Sequence, residues 1–178
     1  MSDLSLDDQK WIINYLDRTI NSTITLTEED QELVKEVAKG RSENAQAKGF
    51  YNNWGSKTAF EIDLEGFGAE LAFCRMFDCE PDTEIGSKLN AWDCITKKGN
   101  KVDVKWTSKE DGELLVKQSK KRKGEVDIWV LMTGKFPTYN FVGYATDEEV
   151  FNAPITNYGY GDNYTIRQED LHTLTKLN

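Results

Sequence analysis

Between positions 101 and 107 the chain alternates strictly, with Val102, Val104 and Trp106 apolar and Asp103, Lys105 and Thr107 polar. A period of two is the signature of a strand with one apolar face, so Asp103 and Lys105 project together from the other face. Just upstream, Lys97-Lys98-Gly99 reads as a three-residue hairpin loop with Gly99 in the left-handed conformation, which pairs Thr96 with Asn100 and sets Asp93 opposite Asp103. A two-residue loop would slip the register by one and send Asp93 to the opposite face. Further on, Asp111-Gly112 is a turn signal, residues 113–118 read as a short strand, 126–132 as a strongly apolar one and 139–145 as another. Thr146-Asp147-Glu148-Glu149 is a capping box that opens a short helix. The tyrosine- and glycine-rich stretch 157–164 reads as a flexible loop, whose tyrosines either stack on unpaired bases or pack in a surface turn.

Helical periodicity dominates the first half. Ser5 and Asp8 open a helix with Trp11, Ile12, Tyr15, Leu16 and Ile20 on its apolar face; Thr27 caps a second helix running to about Lys39, which Gly40 ends. Residues 41–62, with Arg41, Asn44, Gln46, Lys48, Tyr51, Asn52, Asn53 and Trp54, either touch nucleic acid or connect; the connector is favoured. The run from Gly66 to Cys74 holds a single charge, Glu70, which on a helix shares a face with Gly66, Phe73 and Phe77 and turns inward. A buried carboxylate without a partner costs several kcal/mol, so a metal, a cation or a proton should compensate it. Gly66, Gly68, Ala69 and Ala72 let that helix approach a sheet closely.

Two carboxylates facing each other across strands, with Cβ atoms about 5 Å apart, are destabilising unless positive charge lies between them. A divalent cation beside Asp93 and Asp103 answers that need; the alternative is a structural ion-pair cluster. Acidic-x-Lys also occurs as Asp8-Gln9-Lys10, but at the start of an amphipathic helix, where both are ordinary solvated charges.

These residues resemble the PD-(D/E)xK nuclease superfamily, in which a helix with Glu precedes a strand with Asp and a strand with (Asp or Glu)-x-Lys. Glu70, Asp93 and Asp103-Val104-Lys105 match in order and approximate spacing, over roughly residues 60–170, and the run from Gly66 to Phe73 looks like the helix of small viral or mobile-element members. Trp92 stands where the name of the family has proline, a position often otherwise filled. The resemblance implies an α/β, restriction-endonuclease-like core with a central mixed sheet flanked by helices. It implies that Asp93, Asp103, Glu70 and the Val104 carbonyl hold Mg²⁺ or Mn²⁺, and that Lys105 orients the attacking water and offsets charge on the phosphate. The expected activity is deoxyribonuclease, endo- or exonucleolytic, hydrolysing phosphodiester bonds by metal-activated water. The preference for DNA over RNA comes from the resemblance alone.

Composition frames this reading. At 178 residues the chain is expected to be one compact unit, with 1–60 a helical extension packed on a core at 61–178. No apolar run is long enough for a membrane span and no leader pattern is present, so a soluble, cytoplasmic protein is expected, with a homodimer left open. Cys74, Cys79 and Cys94 lack the spacing of a zinc ribbon or a disulfide framework and read as buried thiols; the lone His172 excludes catalysis by paired histidines and reads as structural. The net charge is −9, yet Lys97, Lys98, Lys101, Lys105, Lys109, Lys117, Lys120, Lys121, Arg122 and Lys123 stand against four acids in 97–123, leaving that segment at +6 and the rest at −15. A basic stretch around the catalytic tripeptide suits a phosphate backbone, and Lys117 or Gln118 is a candidate to reach the site. Its alternative is a solvated loop with lysines on edge strands. At the level of function, the alternatives are an acidic mimic of DNA and a catalytically silent binding module on a nuclease scaffold.

Overall fold

A computed structural model describes residues 23–49, 56–86, 90–118, 123–159 and 161–173. The first expected helix, residues 50–55 and Lys120, Lys121 and Arg122 lie outside the described residues. In chain order the elements are β1 (Thr23–Thr25), α1 (Glu28–Ala47), α2 (Ala59–Phe77), β2 (Glu80–Pro81), β3 (Cys94–Ile95), β4 (Lys101–Thr107), β5 (Leu114–Lys117), β6 (Ile128–Lys135), β7 (Thr138–Thr146), α3 (Asp147–Asn152), β8 (Ile155–Asn157) and β9 (Asp162–Ile166).

The expected α/β class with a mixed sheet is what forms. Six strands order as β1-β7-β6-β4-β3-β2, and β5-β9-β8 make a second, smaller sheet. All pairings are antiparallel except β4 with β6, which runs parallel with Asp103 beside Trp129 and Lys105 beside Leu131. A strand paired on both edges and covered on both faces is apolar throughout, which is why Ile128-Trp129-Val130-Leu131-Met132 shows no alternation. The parallel crossover from β4 to β6 leaves the sheet, contributes β5 to the second sheet, and returns.

Alternate side chains of β6 feed two separate cores, and the apolar face of β4 joins the first. Val102, Val104, Ile128, Val130 and Met132 pack with Phe67, Leu71, Phe73 and Phe77 of α2 and with Val34 and Val37 of α1. Trp129 and Leu131, on the other face, pack with Leu114, Val116, Ile166, Val150 and Leu171 from the second sheet, α3 and the C-terminal segment. Residues 23–47 belong to the first core: β1 extends the sheet at β7, and Asp30 of α1 binds Arg75 of α2 at 2.8 Å.

Three sequence expectations need correction. Gly40 does not end α1, which starts at Thr27 as expected but continues to Ala47. The glycine serves close approach instead, since a Cβ there would lie 2.7 Å from Ile85 Cγ2. Residues 41–47 are therefore helix, not connector. The 157–164 stretch is the turn of a hairpin whose second strand is β9; Tyr164 packs on Phe151 with ring centroids 4.9 Å apart, and the Tyr158 hydroxyl donates to Glu113 at 2.7 Å.

The Thr146 capping box of α3 forms, with the Thr146 N–H donating to Glu149 Oε2 at 2.8 Å. Glu149 Oε1 also lies 2.6 Å from His172 Nε2, and His172 pairs its backbone with Tyr144, so the imidazole docks the C-terminal segment as a structural residue. The bond to His172, then the Thr146 amide, hold Glu149 down at about 2 from its ordinary 4.5. A depressed carboxylate contributes stability above its unfolded value that is lost as pH falls through its folded one. The melting temperature of the wild type should accordingly fall more steeply between pH 4.5 and about 2 than that of Glu149→Gln, which keeps the cap without the titration. Parallel melting curves for the two proteins across that window would refute the coupling.

Candidate functional site

The hairpin that positions the acidic pair has the expected loop. Thr96 N–H donates to the Asn100 carbonyl at 2.9 Å, Gly99 N–H closes on Thr96 at 2.8 Å, and Gly99 has φ +89°. The β3–β4 ladder pairs Ile95 with Lys101 and Cys94 with Val102 and stops there, one step short of the expected pairing of Asp93 with Asp103. At that step the strand bends: the Asp93 N–H donates to the Val102 carbonyl at 2.8 Å, and Asp93 Oδ2 accepts from the Val104 N–H at 2.6 Å. The carboxylate thereby stands in for the backbone where β3 stops, beside the Val104 peptide.

Both acids are nearly sealed, Asp93 at 3% exposure and Asp103 at 2%. Asp103 and Lys105 share the face of Trp129 and Leu131, the face covered by the second sheet. Lys105 Nζ is ion-paired with Asp103 Oδ1 and lies 5.4 Å from the centroid of the Trp129 ring. The arrangement is fixed from beyond by Trp129 itself, whose Nε1–H donates to Asp147 at 3.0 Å.

Glu70 arrives from the other layer. Thr58 and Glu61 form the capping box that starts α2, and Glu70 sits in the helix with the inward orientation its neighbours dictate. The compensating charge is a cation: Arg41 Nη1 donates to Glu70 Oε2 at 3.3 Å, with the two side chains 17% and 13% exposed. Arg41 also donates through Nη2 to the Asp82 carbonyl at 2.8 Å and through Nε to the Glu84 carbonyl at 3.1 Å. The Asp82 N–H in turn donates to the Asp93 carbonyl at 3.2 Å. Asp103 and Lys105 thus pair on β4, Asp93 binds the Val104 peptide from just before β3, and Glu70 is tied to that segment through Arg41 and the residues that follow β2.

Two residues of this constellation escaped the sequence reading. Arg41 carried a signal, because on a helix it continues the apolar stripe of Val34, Val37 and Ala38, and a charge on a buried stripe needs a partner. Asp82 carried none. One ladder step beyond Pro81–Cys94 it lies beside Asp93, its Oδ1 accepts the Glu84 N–H at 2.9 Å, and its Oδ2 is buried with no hydrogen-bond partner.

Among the described residues no three His, Cys, Asp or Glu side chains already converge on one point as a metal cluster. The donors nevertheless fit a hard divalent cation in kind. They are carboxylates and a peptide carbonyl, the set that Mg²⁺ and Mn²⁺ take, and the orphaned Asp82 Oδ2 is a buried acceptor that a cation would satisfy. No soft donor competes, because Cys74, Cys79 and Cys94 are buried thiols, with Cys79 pushed far up by bonding to Cys94 and by burial, and Cys94 by bonding to Cys74 and by burial.

The basic residues are dispersed around this centre. Lys97 pairs with Asp78, Lys101 lies 4.6 Å above the Trp92 ring, Lys123 lies 6.0 Å from the Phe151 ring, and Lys98 and Lys109 are exposed. Lys117 and Gln118 are exposed at the end of β5. No helix among the described residues is long and apolar enough to cross a membrane.

No family model matches the chain, and no curated protein matches it in sequence.

Proposed function

We propose that this protein is a Mg²⁺- or Mn²⁺-dependent phosphodiesterase acting on DNA, built on the PD-(D/E)xK plan. The observation that supports the reading is two buried acids one hairpin apart, Asp93 just before β3 and Asp103 on β4, with Lys105 on Asp103. Two acids at 3% and 2% exposure on neighbouring strands oppose folding unless the site has a use for their charge. A structural ion pair would need one acid and one lysine; the second acid and the orphaned oxygen of Asp82 are what a cation site adds.

Asp93, Asp103, the Val104 carbonyl and Glu70 would hold the cation, which when bound supplies Lewis acidity at a phosphoryl oxygen and lowers the pKa of water. Lys105, 29% exposed at the mouth of the acidic pair, is placed to orient a nucleophilic water and to offset negative charge that grows on the phosphate. Its contact with Trp129 holds the ammonium at the site without consuming its hydrogen bonds. Lys98, Lys101 and Lys109 would meet the flanking phosphates, with counterion release opposing the repulsion of a chain at −9.

The test has a thermodynamic and a catalytic arm. A ligand that binds only the native state raises stability, by about 2.7 kcal/mol at a hundred times its dissociation constant, so Mn²⁺ should raise the melting temperature of the wild type and not of Asp93→Asn. Single-stranded, duplex, flapped and four-way-junction DNA, with an RNA control, should be cut only when Mg²⁺ or Mn²⁺ is present. Absence of both cutting and stabilisation would sink the proposal.

A further inference from the structure

We propose that Arg41 is the positioning residue of this site, setting the Glu70 carboxylate against the Asp93 strand and so governing how tightly a divalent cation is held. The inference rests on the cation-dependent reading above.

A single positive charge would be enough to compensate Glu70, and a lysine could provide it. The structure instead uses the whole guanidinium fork: Nη1 on Glu70 Oε2 at 3.3 Å, Nη2 on the Asp82 carbonyl at 2.8 Å and Nε on the Glu84 carbonyl at 3.1 Å. The guanidinium carbon lies 4.8 Å from the centroid of the Phe67 ring, one turn before Glu70 on the same helix. The ring contact and two backbone acceptors fix the group in orientation as well as position, which lysine cannot reproduce. Two of the three contacts are to backbone carbonyls, so the guanidinium is anchored independently of the carboxylate it meets. Through Asp82, whose N–H holds the Asp93 carbonyl, the same side chain also sets where β3 ends. Arg41 therefore couples Glu70 of α2, with Asp63 of the same helix also within reach of its charge, to the segment that holds Asp93.

A clamp that merely joins helix to sheet would affect stability alone. A positioning residue acts through Glu70, and residues that orient metal ligands typically change affinity by 10- to 100-fold when replaced. The decisive measurement is a double-mutant cycle on Mn²⁺ affinity, read by calorimetry on the full chain without substrate, for wild type, Arg41→Lys, Glu70→Gln and the double variant. Arg41→Lys keeps the charge, so long-range electrostatics stay constant and only the fork is lost. It should weaken Mn²⁺ binding about tenfold in the wild-type background and less than about twofold when Glu70 is already glutamine. The same factor in both backgrounds, or none in either, would overturn the proposal. A wild type that takes up no Mn²⁺ would instead remove the cation reading on which it stands. Should Arg41→Lys fail to melt cooperatively, Phe67→Leu, which withdraws only the ring beneath the guanidinium, runs through the same cycle with the same two outcomes.

Discussion

Lys105→Ala is expected to reduce DNA cleavage by about 10³-fold, the upper range for removing one preorganised charge from a developing oxyanion, while leaving Mn²⁺ binding intact. The reason lies in the geometry of the pair. Lys105 Nζ is bound to Asp103, which is 2% exposed, while Asp93, 3% exposed, holds the neighbouring Val104 peptide. Taking the ammonium away leaves two buried acids without that cation, at a cost of about 3 kcal/mol, the low end for breaking a buried pair because Lys105 itself is 29% exposed. The metal-free variant should melt below the wild type, and the rise produced by Mn²⁺ should be larger than in the wild type, since the cation then supplies charge the lysine no longer does. Asp103→Asn should also lower metal-free melting, because the ammonium loses its partner, but with loss of both cutting and the Mn²⁺ response. If the pair were only structural, both variants would lower the metal-free melting temperature and neither would alter the response to Mn²⁺. Wild-type cutting rates in either variant would end the assignment of this site.

Much of the sheet was legible in the sequence because its signals are local. The period of two in β4, the Gly99 loop, the apolar run of β6 and the Thr146 capping box each depend on a few adjacent residues, and each formed. What escaped depends on distant partners. Strand β1 is three residues held by β7, and β2 is a dipeptide ending in proline that only β3 makes into a strand. Gly40 has the composition of a helix stop, and only the side chain of Ile85 reveals it as a point of close approach. The site divides along the same line. Asp93, Asp103 and Lys105 are adjacent through one hairpin, whereas Arg41 reaches Glu70 over 29 residues and Asp82 over 41, separations that no local pattern encodes. The buried environment of Glu70 was readable from its neighbours; the identity of its cation was not.

Gly68→Ala should destabilise the protein by about 2–3 kcal/mol, in a helix where the same change ordinarily gains up to about 1 kcal/mol from propensity. Gly68 lies on the face of α2 that meets β7, and a Cβ there would overlap the Tyr139 hydroxyl and lie 2.9 Å from its Cζ. The ring has nowhere to go. Tyr139 is fully buried, and its hydroxyl donates to Glu65 Oε2 at 3.1 Å, an oxygen that also accepts the Phe136 N–H at 2.9 Å. Desolvation, then the Glu65 charge, push the phenol well above its usual range, so it remains a neutral donor throughout the working range of pH. Accommodating a methyl group means moving helix from sheet or breaking that bond, and overpacking of about 1–3 kcal/mol adds to the roughly 1 kcal/mol of a lost hydrogen bond. For a chain of this length each kcal/mol corresponds to about 2–4 °C, which places the expected fall in melting temperature at roughly 5–10 °C. Tyr139→Phe, which removes the colliding oxygen, should recover part of the loss in the Gly68→Ala background while costing about 1 kcal/mol by itself. A Gly68→Ala protein that melts at or above the wild type would show that α2 does not approach β7 this closely. Because α2 also carries Glu70, the same result would loosen the link between helix and acidic pair on which the candidate site depends.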